Sequence, residues 1–104
     1  MQIQLSTDNH IVGSAELTRQ AEAIVTNALS HFGDRVTRVE VFLSDENSSQ
    51  KSAENDKHCV MEARLAGVQP IAVSHQGAFL DQAIDGAAAK LEKTLKRTLG
   101  RVDS

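Results

Sequence analysis

The chain has 104 residues, of which 11 are lysine or arginine and 14 are aspartate or glutamate, so its formal net charge is −3. This length suits a single domain with a modest core. The only aromatic residues are three phenylalanines, which argues against binding of single-stranded nucleic acid by base stacking. No apolar run approaches the roughly 20 residues of a membrane span, and no signal peptide is expected. The single cysteine, Cys59, has no partner for an internal disulfide, so a reducing location in the cytoplasm is expected.

The first third of the chain predicts a strand followed by a helix. Residues 1–6 alternate between polar and apolar side chains, as in a strand with one face in water. Ser14 is a suitable N-cap for a helix over residues 15–32, and Gly33 can adopt the left-handed conformation that often ends a helix. The apolar residues that recur at helical spacing in this range are Leu17, Ala21, Ile24, Ala28 and Phe32.

The middle of the chain predicts three strands. Residues 36–44, 58–65 and 71–75 alternate in the same way, and residues 67–70 form a turn. The polar stretch of residues 45–57 has no strong apolar residue, and we expect a mobile loop there. The positions expected to face the core are Val39, Val41, Leu43, Cys59, Met61, Ala63, Leu65, Ile71 and Val73. The positions expected to face water are Arg38, Glu40, His58, Glu62 and Arg64.

A second helix is predicted over residues 82–100, with residues 101–104 as a frayed tail. Its apolar stripe consists of Leu80, Ile84, Ala87, Leu91 and Leu95. A neighbouring stripe is basic and consists of Lys90, Lys93, Arg97 and Arg101. Residues 90–101 hold five basic residues and one acid, a local charge of +4. Cations along one helix edge favour local binding of a polyanion, although an ordinary solvated helix face has the same composition.

The predicted order of elements is β-α-β-β-β-α, which is an α+β fold. The first β-α-β unit predicts a right-handed crossover between parallel strands, and the shorter connections that follow allow antiparallel neighbours. Because each strand has one apolar face and each helix one apolar stripe, both helices should pack on one face of a four-stranded mixed sheet.

The sequence gives little support to an enzyme or a metal protein. It has no glycine-rich phosphate loop and no nucleophile elbow. Cys59 is expected to face the core, where a cysteine behaves as a small hydrophobic residue and not as a nucleophile. The acidic start of the loop at Asp45 mimics a calcium loop, but Gln50 stands where that loop needs glycine. We therefore expect no catalytic residue, no metal and no cofactor.

Three segments resemble one known family. They are MQIQLS at residues 1–6, VTRVEVFLS at 36–44 and AIDGAAAKLEKTLKR at 83–97. They are similar to the ribosome hibernation-promoting factor family, also called the ribosome-associated inhibitor A or sigma-54 modulation family. The resemblance is sharpest in the last helix, and it is to the short form of the family, which has no second domain.

The resemblance implies a fold like the double-stranded RNA-binding domain. It also implies a cytoplasmic, non-enzymatic translation inhibitor that binds the small ribosomal subunit, or the whole ribosome, at the subunit interface. There it would occlude the messenger and transfer RNA sites in starved or stationary cells. Lys90, Lys93 and Arg97 match the basic positions of the family motif. Lys96 and Arg101 are further candidates for RNA binding that come from the basic stripe alone.

Three departures from the family pattern leave an alternative open. The first helix keeps only Arg19 of the usual basic residues, and the polar loop of residues 45–57 is long and acidic. The chain also places Phe79 and Leu80 ahead of the last-helix motif. The alternative is a diverged family member that acts as a protein-interaction or dimerisation module, such as a homodimer, without binding ribosomes.

Overall fold

The elements follow one another in the predicted order in a computed structural model, which describes residues 1–9, 11–45 and 57–103, with only the backbone for 101–103. The two helices are α1 (Ala15–Leu29) and α2 (Leu80–Asp103), and a 3-10 segment (Ser30–Arg35) follows α1. The strands are β1 (Gln2–Thr7), β2 (Val36–Asp45), β3 (Lys57–Leu65) and β4 (Val68–Gly77).

The four strands form one mixed sheet in the order β1-β2-β3-β4. β1 pairs parallel to β2, whereas β2, β3 and β4 pair antiparallel as consecutive hairpins. The parallel pair requires a crossover, and α1 supplies it. The predicted α+β class and the mixed sheet are therefore confirmed, and β1 and β4 are the two edge strands.

Both helices contribute to a single apolar core that covers one face of the sheet. The inward-facing residues of β2 and β3 and four of the five predicted stripe residues of α2 are buried, as expected. The fifth, Leu80, packs at the margin of the core. Each large side chain removed from water contributes about 2 kcal/mol to folding, so this shared face fixes how α2 sits on the sheet.

The predicted boundaries and stripe of α1 need correction. Ser14 caps the helix as expected, because its Oγ accepts from the backbone N–H of Leu17 at 3.0 Å. However, the helix ends at Leu29, and Gly33 lies within the 3-10 segment with a φ of 61°. The fully buried residues of α1 are Leu17, Ala21, Val25 and Leu29, whereas Ile24, Ala28 and Phe32 are half-buried. The apolar surface is wider than one stripe because α1 contacts both the sheet and α2.

β4 is longer than predicted, since it begins at Val68 and includes Pro70. The expected turn over residues 67–70 is wrong, because the chain turns at Ala66 and Gly67, where Gly67 has a φ of 76°. Pro70 fits within the strand because β4 is an edge strand and its pairing with β3 is irregular at this point, where proline is tolerated.

The predicted loop lies mostly outside the described residues, whereas most of the predicted tail continues α2. β2 extends to Asp45 and β3 starts at Lys57, and the Lys57 Nζ lies 3.3 Å from a carboxylate oxygen of Asp45. Residues 46–56 between them, and Ser104, lie outside the described residues. α2 ends at Asp103, three residues later than predicted.

α2 approaches β4 closely at Gly86. A Cβ atom at this position would lie 2.0 Å from Cδ2 and 2.3 Å from Nε2 of His75, which is far inside van der Waals contact. The imidazole of His75 thus fills the space that a side chain on the helix would take. By contrast, a Cβ atom at Gly100, further along the same helix, would meet nothing within 4 Å.

We predict that Gly86→Ala lowers the free energy of unfolding by about 1–3 kcal/mol, the usual cost of overpacking. An alanine in a helix interior otherwise stabilises by up to about 1 kcal/mol over glycine, so Gly100→Ala, the matched control, should raise the stability slightly. Urea denaturation followed by circular dichroism measures both. The double variant His75→Ala/Gly86→Ala should recover part of the loss, and a Gly86→Ala protein as stable as Gly100→Ala would contradict this packing.

Candidate nucleic-acid interface

The exposed side of α2 presents four cations, Lys90, Lys93, Lys96 and Arg97, which we call the cationic arc. All four residues are exposed, while Leu91 and Leu95 on the opposite side of the helix are fully buried. At 3.6 residues per turn, the four side chains spread over roughly a third of the helix circumference and about 10 Å of its length. The structure therefore places four of the five predicted RNA-binding residues on one continuous surface.

The fifth predicted residue, Arg101, belongs to the backbone of α2, but its side chain lies outside the described residues. Its position relative to the cationic arc stays a prediction.

Lys90 differs from the rest of the cationic arc because its side chain is already hydrogen-bonded within the protein. Its Nζ donates a hydrogen bond to the backbone carbonyl of Ser74 at 2.9 Å, which ties the side chain to the outer edge of β4. Within the described part of the chain, Lys93, Lys96 and Arg97 have no ion-pair partner. These three cations are therefore the ones available to an anion without breaking an internal contact.

The acids of α2 lie on its other flank, toward α1. Asp85 and Glu92 line a shallow depression between the two helices, together with Ala88 and Ala89 and the α1 residues Ile24, Asn27 and Ala28. The Nε2 of His31 in the 3-10 segment lies 3.7 Å from the carboxylate of Glu92. Lys90, Lys93 and Arg97 thus lie on the flank of α2 that faces away from α1, whereas Lys96 lies one helical turn after Glu92, beside the acids.

α1 adds no net positive charge to this surface. Its single cation, Arg19, pairs with Glu16 at 2.8 Å, and Glu22 leaves the helix with a charge of −1. A basic surface shared by both helices is therefore absent, and α2 supplies the available cations of the helical layer.

The open face of the sheet carries charges that neutralise one another. Arg38 lies 3.6 Å from Glu40 and hydrogen-bonds to Gln4, and Arg64 lies 3.7 Å from Glu40 and 3.6 Å from Glu62. These residues were predicted to face water, and they do so as a salt-bridge network across β1, β2 and β3. Like charges are directly opposite in the register, so the attractive contacts run along and diagonally between strands. This salt-bridge network has no excess positive charge to attract a phosphate.

Sequence reasoning did not find the contacts that distinguish these cations. The hydrogen bond from Lys90 to Ser74 and the salt-bridge network around Glu40 join residues from different elements. Which residues meet depends on how the strands and helices are assembled. The three- and four-residue spacing of the basic residues marks which side chains share a surface, but it carries no information about which of them is already bonded.

The single cysteine is part of the apolar core. Cys59 is fully buried, and this burial raises the pKa of its thiol to about 12, so it stays protonated at neutral pH and is a poor nucleophile. Among residues 1–9, 11–45 and 57–103, no three histidine, cysteine, aspartate or glutamate side chains come together as metal ligands. Neither helix, as far as it is described, has the length and hydropathy of a membrane span.

Comparisons with known proteins identify a family and a fold. Residues 5–103 match the family described as Sigma 54 modulation protein / S30EA ribosomal protein. The N-terminal domain of Protein Y from Thermus thermophilus is 22% identical, with a TM-score of 0.74, over 94% of this chain and 99% of that one. A ribosomal subunit interface protein from Coxiella burnetii is 16% identical, with a TM-score of 0.75, over 96% and 99% of the two chains. No curated protein sequence matches the chain.

We predict that Cys59 makes the protein less stable at alkaline pH. Burial raises the folded pKa from 9.0 to about 12, so above pH 9 the unfolded chain loses this proton and the folded chain keeps it, and stability falls as the pH rises. Between pH 8 and 10 the wild-type free energy of unfolding should fall by about 1 kcal/mol more than that of Cys59→Ala. Parallel urea titrations measure the difference, and equal pH slopes for the two proteins would refute a buried thiol.

Proposed function

This chain belongs to the Sigma 54 modulation protein / S30EA ribosomal protein family, and we propose that it is a ribosome-associated translation inhibitor. In this proposal it binds the small subunit at the subunit interface in starved or stationary cells and occludes the messenger and transfer RNA sites. The cationic arc is the observation that carries the proposal. A neighbour of the same fold is a ribosomal subunit interface protein, which supports the same location.

The cationic arc suits contact with ribosomal RNA phosphates. Lysine and arginine on a rigid helix contact phosphate oxygens without reading sequence, and duplex RNA exposes its backbone and 2′-hydroxyls to such a shape-reading surface. Arg97 can donate two parallel hydrogen bonds to one phosphate, whereas Lys93 and Lys96 act as point charges. Lys90 contributes positive potential while it holds the helix to β4.

The position of the acids defines how RNA would approach. A chain of net charge −3 repels a polyanion at long range, and Asp85 and Glu92 repel it at the flank of α2 that faces α1. The proposed RNA therefore runs along the flank of α2 that lies next to β4, away from α1. Inhibition by occlusion needs only binding, so the proposed factor is not an enzyme and uses no cofactor.

Exposed phenylalanines favour a second candidate function, a protein-interaction module without ribosome binding. Phe79 is 64% exposed at the start of α2, and Phe42 is 45% exposed on the open face of the sheet. Exposed aromatic residues are frequent in protein interfaces. Capture of a protein partner that is indifferent to ribonuclease and to charge reversal in the cationic arc would favour this candidate.

We predict that Arg97→Glu weakens ribosome binding at least tenfold, since it removes one phosphate contact and adds repulsion. The matched control is Arg19→Glu, the same reversal on an exposed arginine of the other helix, which should bind nearly as the wild type does. Sedimentation of purified protein with ribosomes through sucrose gradients measures both, and circular dichroism confirms that each variant is folded.

The salt dependence of binding gives a second readout. In Lys93→Gln/Arg97→Gln, two phosphate contacts are lost, so the slope of log affinity against log salt should become shallower by about 1.5. Equal affinity of Arg97→Glu and Arg19→Glu for ribosomes would remove the cationic arc from the interface. Wild-type protein that stays at the top of the gradient at low salt would refute ribosome binding itself.

A further inference from the structure

The two edges of the sheet are protected very differently. At the β4 edge, Lys90 occupies the carbonyl of Ser74, and Pro70 interrupts the strand where its pairing is irregular. Lysine, proline and irregular pairing are devices that prevent a further strand from adding to a sheet. The β4 edge is therefore closed to strand addition.

The β1 edge has none of these devices. Gln2–Thr7 contains no charged residue and no proline, and it pairs with β2 in a regular register over all six positions. Among the described residues, the backbone of β1 has no hydrogen-bond partner outside the sheet. Because a strand bonds to a neighbour on each side, alternate N–H and C=O groups of β1 point outward unpaired.

The core also continues to this edge without cover. Ile3 and Leu5 face the same side as the core and pack against it, but both remain only partly buried. A strand added beside β1 would cover these two side chains and satisfy the outward backbone groups at once.

We propose that β1 is a self-association edge, which pairs antiparallel with β1 of a second copy of this chain to form a continuous eight-stranded sheet. A two-fold axis makes an edge-to-edge pair antiparallel. With the axis at Gln4, Gln2 faces Ser6 of the second copy and Ile3 faces its Leu5. Within Gln2–Ser6, each apolar residue then meets an apolar residue, each polar residue meets a polar one, and no charges oppose each other.

This register favours a second copy of the chain over an unrelated strand as the binding partner of β1. β1 carries no charge that would attract a charged peptide, whereas its short sequence is complementary to itself about Gln4. The contact spans five residues of each strand, Gln2–Ser6, so it is smaller than a standard protein interface and the dimer is weak and concentration-dependent. α2 contacts β3 and β4 at the other end of the sheet, so the cationic arc stays exposed in the dimer.

The test uses two variants that each add one negative charge. Gln4→Glu keeps an acceptor for Arg38 but places two carboxylates face to face at the two-fold axis, and like charges directly opposite destabilise a strand pair. Gln2→Glu, the matched control, faces Ser6. In sedimentation-velocity experiments over a range of concentrations, Gln4→Glu should raise the dimer dissociation constant about fivefold and Gln2→Glu less than twofold.

A charge-swap experiment tests the proposed position of the two-fold axis most directly. Gln4→Lys alone should weaken the dimer as Gln4→Glu does, while a mixture of the two variants should form heterodimers at least as tight as the wild-type dimer. A wild-type protein that stays monomeric at its highest soluble concentration overturns the proposal. So does a dimer that responds equally to Gln2→Glu and Gln4→Glu. Ribosome binding is measured separately through Arg97→Glu, so failure of either proposal leaves the other to be judged on its own data.

Discussion

The close packing of α2 against β3 and β4 is the constraint on which the rest of the structure depends. Apart from Ile84, the buried side of its first half consists of small residues: Ala83, Ala87 and Ala88 are buried, and Gly86 lies against the ring of His75. Small residues let the helix backbone approach the sheet, and larger ones, Leu91 and Leu95, follow where α2 forms the centre of the core. Once this face is fixed, the rotation of the helix is fixed, and with it the direction in which every exposed cation points. The reach of Lys90 to the carbonyl of Ser74 is a consequence of that short distance.

The fold followed from the sequence wherever an element buries a single face. β2 and β3 alternate cleanly because one side packs on the helices and the other meets water, so their inward residues were predicted. α1 was harder because it contacts two neighbours. Ile24 and Ala28 face the depression beside α2, while Val25 and Leu29 face the centre of the core. β4 begins before its predicted start because an edge strand tolerates Pro70. Only the assembled sheet shows that β4 is an edge strand.

The candidate interface was predictable in outline for the same physical reason. Helical periodicity places Lys93 and Arg97 on the exposed side of α2 once Leu91 and Leu95 are buried. Periodicity cannot show that Lys90 is already bonded, or that the arginines of the open sheet face are neutralised by Glu40 and Glu62. Those outcomes depend on strand register and on distances between elements far apart in the chain. The sequence therefore predicts which cations share the exposed side of α2, and the structure adds that Lys90 is already hydrogen-bonded.

The segregation of charge bears on the choice between ribosome binding and self-association. A net acidic chain with cations spread evenly would have no surface on which a polyanion is favoured, whereas here Asp85 and Glu92 lie on the α1 flank of α2 and the unpaired Lys93 and Arg97 lie beyond it. The uncharged edge of β1 lies at the opposite end of the sheet from α2. An RNA backbone and a second copy of the chain would therefore use surfaces that do not overlap. The two proposed activities are not rival explanations of one surface, because phosphate contact needs positive charge, whereas symmetric pairing of two identical strands about Gln4 is weakened by any charge at that position.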